Sequence, residues 1–413
     1  MRIPVIMAIL LIIISALVDA YIYGGIVRRK GRRSAWSIAY AVSSILCWAF
    51  LAVTLCMPRR SAETDILEVM WMLYSYLSIY VVKIIYLIFS LFGIWPLFKK
   101  ERPWPTGIFV GLPIGIVCFI AMWYGATIGR NEIQTTRVTI ESENLPKAFD
   151  GYRIVQFSDA HVGTWGNDTA FISRLVDSIN CLKPDVIFFT GDIVNRRTEE
   201  LKPFVSVFSR LKAKDGVYSI LGNHDYGDYV DWDNDGLKKR NLDALIKYQK
   251  QMGWKLLNND RAFITNGNDT IVIIGVENWG EPPFKQYGNL DKAYPYSKDS
   301  IYNVNDSRYK ILLSHNPEHW NQHVSHETNI DLTLSGHTHA MQIIIGKNKW
   351  RWSPSQYIYE QWGGLYNRET KDGRPVRIYV NIGCGEVGAP YRIGATSEIT
   401  EITLRRYSPN GKE

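Results

Sequence analysis

The chain has 413 residues, 46% hydrophobic and 21% charged, which excludes a disordered tail or a disulfide-stapled mini-protein and points to two or three folded units. Its formal charge of +7 resides in residues 1–128, with twelve basic and five acidic side chains, whereas residues 129–413 balance at 35 of each, so a global electrostatic grip on nucleic acid loses its support. Five cysteines without a CxxC pair or a spaced framework exclude a disulfide scaffold and a thiolate zinc site, and leave open whether Cys181 meets Cys384.

Four apolar stretches open the chain, at residues 3–27, 35–57, 69–97 and 107–128. Each is long enough to match the hydrocarbon core of a bilayer, which takes about 20 residues at helical rise. Arg2 before the first stretch suggests a signal peptide, but the run continues through Tyr21 to Val27 without a small-residue cleavage site, so a retained helix is expected. Residues 1–129 are therefore expected to form a multi-pass membrane module with the lipid bilayer as partner, and residues 130–413 a second domain. The first and third connections carry eight cations (Arg28, Arg29, Lys30, Arg32, Arg33, Lys99, Lys100 and Arg102). The opposite side carries five, at Arg2, Arg59, Arg60, Arg130 and Arg137. The positive-inside bias thus expects the second domain to be extracytoplasmic. Lys83 falls mid-span and Asp19 is the only acid inside another span, which is a packing contact, a cavity-facing lysine or an ion path.

Beyond residue 130 the apolar runs shorten to strand length, at 152–157, 185–189, 216–221, 270–276, 309–313, 331–334 and 377–381, with helical patterns at 170–181, 201–211 and 238–252. This is an α/β layout with helices covering both faces of one or two sheets. Long connections at 225–235, 281–307 and 347–372 are where substrate-specific walls form. The last holds Trp350, Trp352, Tyr357, Tyr359 and Trp362, either core aromatics or a lipid-facing or substrate-stacking wall. His319 and His323 stand one helical turn apart, but without the Glu base of an HExxH motif they read as a solvated helix face rather than a zinc site.

The polar residues gather at the ends of the strand patterns, where open α/β sheets place their sites. In chain order these ends read Ser158-Asp159-Ala160-His161, Gly191-Asp192, Gly222-Asn223-His224-Asp225, Ser314-His315-Asn316 and Gly336-His337-Thr338-His339. Five of the eight histidines of the chain sit in these blocks. Carboxylate, amide oxygen and imidazole without thiolate suit hard or borderline divalent ions. Alternation along an extended segment lets Asp159 and His161, or His337 and His339, face one ion.

The ordered run of DxH, GD, GNHD, H and GHxH blocks resembles the calcineurin-like metallophosphoesterases. The segment Gly383-Cys384-Gly385 to Pro390-Tyr391-Arg392-Ile393-Gly394 resembles the C-terminal block of their membrane-associated bacterial branch. The resemblance implies a two-sheet α/β sandwich with a dinuclear metal centre, here preceded by the four-helix membrane module. It assigns one ion to Asp159, His161, Asp192 and His339, and a second to Asp192, Asn223, His315 and His337. Asn223 and His224 would meet the substrate phosphate, and His224 would be the catalytic acid, oriented by Asp225. Mn, Fe, Zn and Ni all suit these ligands. The expected reaction is cleavage of a phosphodiester or pyrophosphate, of a lipid or envelope precursor, by a hydroxide generated between the two ions. The alternatives are a silent membrane sensor of phosphorylated ligands and a hydrolase of a nucleotide lipid such as UDP-diacylglucosamine. The expected location is a bacterial cytoplasmic membrane. Where the family often has two glycines after the last motif histidine, this chain has Ala340 and Met341.

Overall fold

The computed structural model describes residues 5–58, 60–61, 66–94, 105–282, 285–294, 306–347, 350–370 and 373–407. The chain divides into two compact units, one of Met1–Ile128 with the short segment Gly388–Tyr391, the other of Gly129–Val387 and Arg392–Glu413.

The first unit holds four helices, α1 (Val5–Lys30), α2 (Ala35–Cys56), α3 (Ile66–Phe92) and α4 (Leu112–Thr127), the last begun by a π-turn over Gly107–Gly111. All four are long and apolar enough to cross a membrane. Arg2, Arg59, Lys99, Lys100 and Arg102, which enter the charge bias, lie outside the described residues. Glycines every fourth residue let α4 approach α3: a Cβ on Gly111 would stand 2.8 Å from Phe89 Cβ, and one on Gly115 would stand 3.0 Å from Val82 Cγ1. Lys83 Nζ lies 2.8 Å from Asp19 Oδ1. Asp19 also accepts from Tyr40 Oη at 2.8 Å, Trp48 Nε1 at 3.0 Å and Tyr80 Oη at 2.6 Å. The mid-span charges thus form a packing contact joining α1 to α2 and α3, which meets the need for a partner in an apolar medium.

The second unit is an α/β sandwich of two six-stranded mixed sheets. Its strands are β1 (Ile133–Ser142), β2 (Arg153–Phe157), β3 (Val186–Phe189), β4 (Val217–Ser219), β5 (Trp254–Leu256), β6 (Asp260–Asn266), β7 (Asp269–Gly275), β8 (Lys310–Leu313), β9 (Leu332–Ser335), β10 (Gly364–Glu369), β11 (Pro375–Val380) and β12 (Ser397–Arg406). One sheet has the order β1-β12-β2-β3-β4-β5 and the other β10-β11-β9-β8-β7-β6, with β2 to β5 parallel and β7, β8, β9 and β11 parallel.

Period-two alternation explains the layers. Ile154, Val186 and Phe188 join Ile271, Ile273, Ile311 and Leu313 in the core between the sheets. Their neighbours Val155, Ile187 and Phe189 instead pack on Phe171, Leu175 and Ile179 of helix α5 (Ala170–Cys181). Val272, Ile274 and Leu312 face Trp320 and Val324 on the far side. Strands buried on both faces read as continuous apolar runs, and these are the strands visible in the sequence. The pattern at 201–211 does not form one helix: a 3-10 segment Thr198–Phe204 precedes a single turn, α6 (Val205–Phe208), because Pro203 has no N–H to donate. The pattern at 238–252 forms α7 (Asp235–Gln251), capped by the Asn234 side chain. Cys181 is exposed and Cys384 buried, and both are free thiols.

Candidate metal centre

The loops that leave β2, β3, β4, β8 and β9 bring the five sequence blocks together. Backbone bonds between them, from Asp159 N to Gly191 O at 2.9 Å and from Gly336 N to His315 O at 3.0 Å, tie the loops into one floor. Two glycines make that floor possible: a Cβ at Gly222 would collide with Asp192 Oδ1, and one at Gly336 with Ser158 Oγ. Five of the predicted side chains sit on left-handed backbone, with φ of 53° at Asp159, 38° at His161, 60° at Asp192, 75° at His337 and 50° at His339. Each such residue costs about 1–3 kcal/mol, a strain that persists only where the surrounding fold over-determines it.

Two sets of ligand-type atoms result. Asp159, His161 and His339 form one, and Asp192, His315 and His337 the other, and His161, Asp192 and His224 also converge. Asp159 Oδ1 is 3.1 Å from His339 Nε2. Asp192 Oδ2 lies between the two sets, 3.1 Å from His315 Nε2 and 3.6 Å from His161 Nε2. The outer ring nitrogens are committed elsewhere: His161 Nδ1 donates to Val194 O at 3.1 Å, and His315 Nδ1 to Thr190 O at 2.7 Å. Their Nε2 atoms are thereby turned inward. His337 points Nδ1 at His315 Nε2, 3.3 Å away, and Nε2 at the Tyr359 hydroxyl, 3.0 Å away.

Charge follows the same logic. Burial alone would depress the His315 imidazole, but the Asp192 and Asp159 carboxylates override it and push it up to about 10. Burial brings His337 down to about 3, with His315 adding to the effect. Burial and then His224 hold His161 well below the ordinary imidazole range. Burial works to raise Asp192, yet His315 and His224 keep it well below the usual carboxylate range. One imidazolium therefore faces two carboxylates, so the cluster is short of positive charge.

This donor set fits divalent cations. His161 Nε2 and His339 Nε2 face each other at 3.1 Å, with Asp159 Oδ1 3.1 Å from the latter, so two ring nitrogens and a carboxylate oxygen converge as one cation would need them. Asn223 Oδ1 is buried without a hydrogen-bond partner, while its Nδ2 donates to Tyr229 Oη at 2.8 Å. A buried orphan acceptor among ligand-type atoms is the mark of a site built for an ion.

The nine residues expected from the five blocks (Asp159, His161, Asp192, Asn223, His224, Asp225, His315, His337 and His339) lie together at these loops, and the bonds of one differ from expectation. Asp225 does not orient the His224 side chain, whose Nδ1 donates to Asn195 O at 2.6 Å. The Asp225 carboxylate instead accepts backbone N–H bonds from Asp192 at 2.9 Å, Ile193 at 2.9 Å, Val194 at 3.3 Å and Gly222 at 2.9 Å, clamping the two loops that carry Asp192 and Asn223. Burial and the nearby Asp192 push it up to about 7, against four donors that favour the anion. His319 is not on a solvated face: it is buried, stacks on Trp279 at 5.2 Å and meets Ser314 Oγ at 2.9 Å, whereas His323 is exposed and faces Glu327.

Three contributors lie outside the five blocks. The Tyr229 ring stacks on His224 at 4.3 Å. Asn195 supplies the carbonyl that His224 needs. Arg392, fully buried, donates to Gly385 O, Ala395 O and Ile382 O and reaches His339 Nδ1 at 3.4 Å. Arg392 belongs to the C-terminal block visible in the sequence, whereas Tyr229 is hidden in an Asp- and Tyr-rich connection. Ala340 and Met341 adopt φ of 49° and 46°, which accounts for glycine as the easier residue there.

The chain carries a calcineurin-like phosphoesterase domain preceded by a transmembrane domain of the kind found with such enzymes. Residues 152–341 match the family model for calcineurin-like phosphoesterases, and residues 1–130 match the model described as the transmembrane domain of a probable calcineurin-like phosphoesterase. It is 28% identical over 312 residues to the uncharacterized metallophosphoesterase YkuE of Bacillus subtilis, covering 74% of this chain and 98% of that one. A transmembrane protein with metallophosphoesterase domain from Danio rerio is 27% identical over 408 residues, 94% of this chain and 86% of its own. The UDP-2,3-diacylglucosamine pyrophosphatase LpxG of Chlamydia trachomatis is 29% identical over 327 residues, 67% of this chain and 92% of its own. The protein is thus a hydrolase of phosphoric esters by family, divalent-metal dependent by family, and an integral membrane protein with four candidate spans.

Proposed function

We propose that the chain is a membrane-anchored phosphohydrolase that holds two divalent ions and cleaves a phosphodiester or pyrophosphate bond of a lipid or envelope precursor. The observation that carries this reading is the placement of Asp192 Oδ2 between His161 and His315, with the orphan Asn223 Oδ1 in the same cluster. Asp159, His161, Asp192 and His339 would hold one ion, and Asp192, Asn223, His315 and His337 the other, with Asp192 shared. When bound, such ions supply Lewis acidity to the phosphoryl oxygens and make a water nucleophilic near neutral pH.

The residues of the chain do the rest. With Nδ1 donated to Asn195 O, His224 keeps Nε2 for the substrate, where, as the doubly protonated imidazolium, it would place its Nε2 proton on the leaving oxygen or steady charge on the phosphoryl group. Tyr229 and Asp225 are positioning residues, the first packed on His224 and bonded to Asn223, the second fixing the loops beneath.

The membrane unit and the LpxG relative support a lipid-linked substrate. The charge bias favours an extracytoplasmic catalytic domain, which disfavours a cytosolic nucleotide lipid; the name of that relative favours one. A reporter fused after Glu413 separates the two, since cytoplasmic signal would restore the nucleotide-lipid reading. The activity itself is tested on the full chain in detergent, stripped of metal and titrated with Mn²⁺, with bis-p-nitrophenyl phosphate and p-nitrophenyl phosphate as substrates. Metal-dependent turnover of the diester, reduced by about 10²–10⁴ in His224→Asn with metal content retained, is expected. Two bound ions without turnover of either ester would favour the silent sensor of phosphorylated ligands.

A further inference from the structure

The connection that follows the last metal-ligand block is built with its apolar side outward. Ile345 and Trp352 pair as a small antiparallel hairpin, with N–H···O bonds of 2.9 Å in both directions. A 3-10 turn, Pro354–Tyr357, follows, and the Trp352 indole N–H donates to Tyr357 Oη at 3.3 Å. On these two elements Trp350 is 78% exposed, Tyr357 76%, Ile358 62% and Ile345 59%, with Trp352 and Met341 also on the surface. The two cations of this stretch within the described residues, Lys347 and Arg351, are exposed as well.

A soluble hairpin has no reason to present tryptophan, tyrosine and isoleucine to water, and exposed apolar groups clustered with cations mark an interaction surface. Amphipathic aromatic rings with lysine and arginine are the composition that rests at the bilayer interface, rings at headgroup depth and cations on lipid phosphates.

The hairpin is anchored firmly to the site. Ser353 Oγ donates to Ala340 O at 2.6 Å, and Ile344 N donates to Ile393 O at 2.9 Å. Tyr359, directly after Ile358, bonds His337 Nε2 at 3.0 Å. Whatever the hairpin touches is therefore held beside the metal-ligand cluster. Only residues 128–132 separate α4 from β1, so the second unit is tethered by a short connection to a candidate membrane span.

We propose that Ile345, Trp350 and Trp352, with the Pro354–Tyr357 turn and Ile358, form a bilayer-docking surface that seats the metal-ligand cluster at the headgroup layer. On the lipid-substrate reading given above, on which the turnover effect rests, docking brings the phosphoester of an embedded lipid to the ions without extracting its acyl chains. Tethering by the helices makes even a weak contact effective, because the local lipid concentration is high.

The test uses full-length protein in vesicles of phosphatidylethanolamine and phosphatidylglycerol. Cys47, Cys56, Cys118 and Cys181 are replaced by serine, and an environment-sensitive fluorophore is attached at Tyr357→Cys or, as a reference on exposed α7, at Lys239→Cys. Lipids brominated near the headgroup should quench the probe at 357 several-fold more than the reference, independently of protein density. Equal quenching at the two positions would overturn the docking surface, as would shielding that grows with protein density, which assigns the patch to a second copy. In parallel, a Trp350→Ser, Tyr357→Ser, Ile358→Ser variant should keep bis-p-nitrophenyl phosphate turnover within about twofold. Its turnover of a diacylglycerol p-nitrophenyl phosphodiester carried in the vesicle should fall at least about tenfold. Unchanged turnover of both esters would count against docking. Strong quenching at 357, with no hydrolysis of the lipid ester by the unsubstituted protein that still cleaves the soluble one, would uphold docking and sink the lipid-substrate reading.

Discussion

Each unit of this protein buries a cluster of charge, and the two clusters are opposites. Among the apolar helices, Asp19 accepts from Lys83, Tyr40, Trp48 and Tyr80, so the carboxylate is matched by donors on two neighbouring helices. In the sandwich, Asp159, Asp192, His161, His337 and His339 bring carboxylate oxygens and ring nitrogens to within ligand distance of one another, and Asn223 Oδ1 has no donor at all. A closed set of donors and acceptors stabilises packing and needs nothing further. An open set of converging ligand atoms is costly unless a cation completes it. Buried charge by itself therefore says little about function; what separates structure from chemistry is whether the hydrogen-bond inventory closes.

The contrast can be broken most severely at Asp192. Asp192→Asn should lower metal-dependent diester turnover by about 10³-fold or more and reduce bound metal below two equivalents, read by elemental analysis beside the activity assay. Full activity with two retained ions would remove the shared-ligand role. In the closed cluster the expected loss is of stability: Asp19→Leu strands Lys83 and three other donors and should cost about 3–5 kcal/mol, measured by unfolding in bicelles. Lys83→Met should cost less, because Asp19 keeps three donors; the reverse order would show that the lysine, not the carboxylate, organises the helices.

Tyr229→Phe is the finer probe of the open cluster. Loss of the hydroxyl frees the Asn223 amide to turn, so affinity for one ion should fall about 10–100-fold while the fold is kept, as calorimetric Mn²⁺ titration would reveal. Acidity tests the same shortage of positive charge. Without an ion His315 is protonated up to a pKa of about 10, so a cation binding there must expel that proton. Affinity should then fall about tenfold for each pH unit lowered, per proton displaced, and titrations in buffers of different ionisation enthalpy should report proton release. Affinity independent of pH between about 6 and 8 would contradict the charge assignment. The smallest effect belongs to the left-handed turn after His339: Ala340→Gly or Met341→Gly should stabilise the protein by about 0.5–1 kcal/mol, set by relieved strain against greater freedom in the unfolded chain. Destabilisation by either would mean that the lost side-chain contacts outweigh the strain.

The legible parts of the fold share one property. β2, β3, β8 and β9 are almost wholly buried and appear in the sequence as short segments dominated by Ile, Val, Leu and Phe, interrupted inside only by Gln156 and Thr333. β1, β6 and β10 do not, because as edge or near-edge strands they mix Thr, Asn, Arg and Glu with apolar residues and keep one face partly in water. The 201–211 pattern has helical spacing, yet Pro203 divides it. In the site, Asp159, His161, Asp192, Asn223, His224, His315, His337 and His339 stand out because they recur in ordered blocks at strand ends. Tyr229 and Asn195 act through one hydroxyl and one backbone carbonyl, which leave no spacing to read.

The sequence alone determined which atoms are available for chemistry, where the apolar spans run, and which strands must be buried, because these depend on residue type and on periods of 2 and 3.6. Tertiary structure alone decided which lone pairs face which. Asp225 lies next to His224 in the chain but bonds the backbone of another loop, and Tyr359 bonds His337, 22 residues away. The direction of a side chain follows from strand order and loop conformation, here the left-handed turns at Asp159, Asp192 and His337, and those are set by the packing of two sheets rather than by neighbours in sequence.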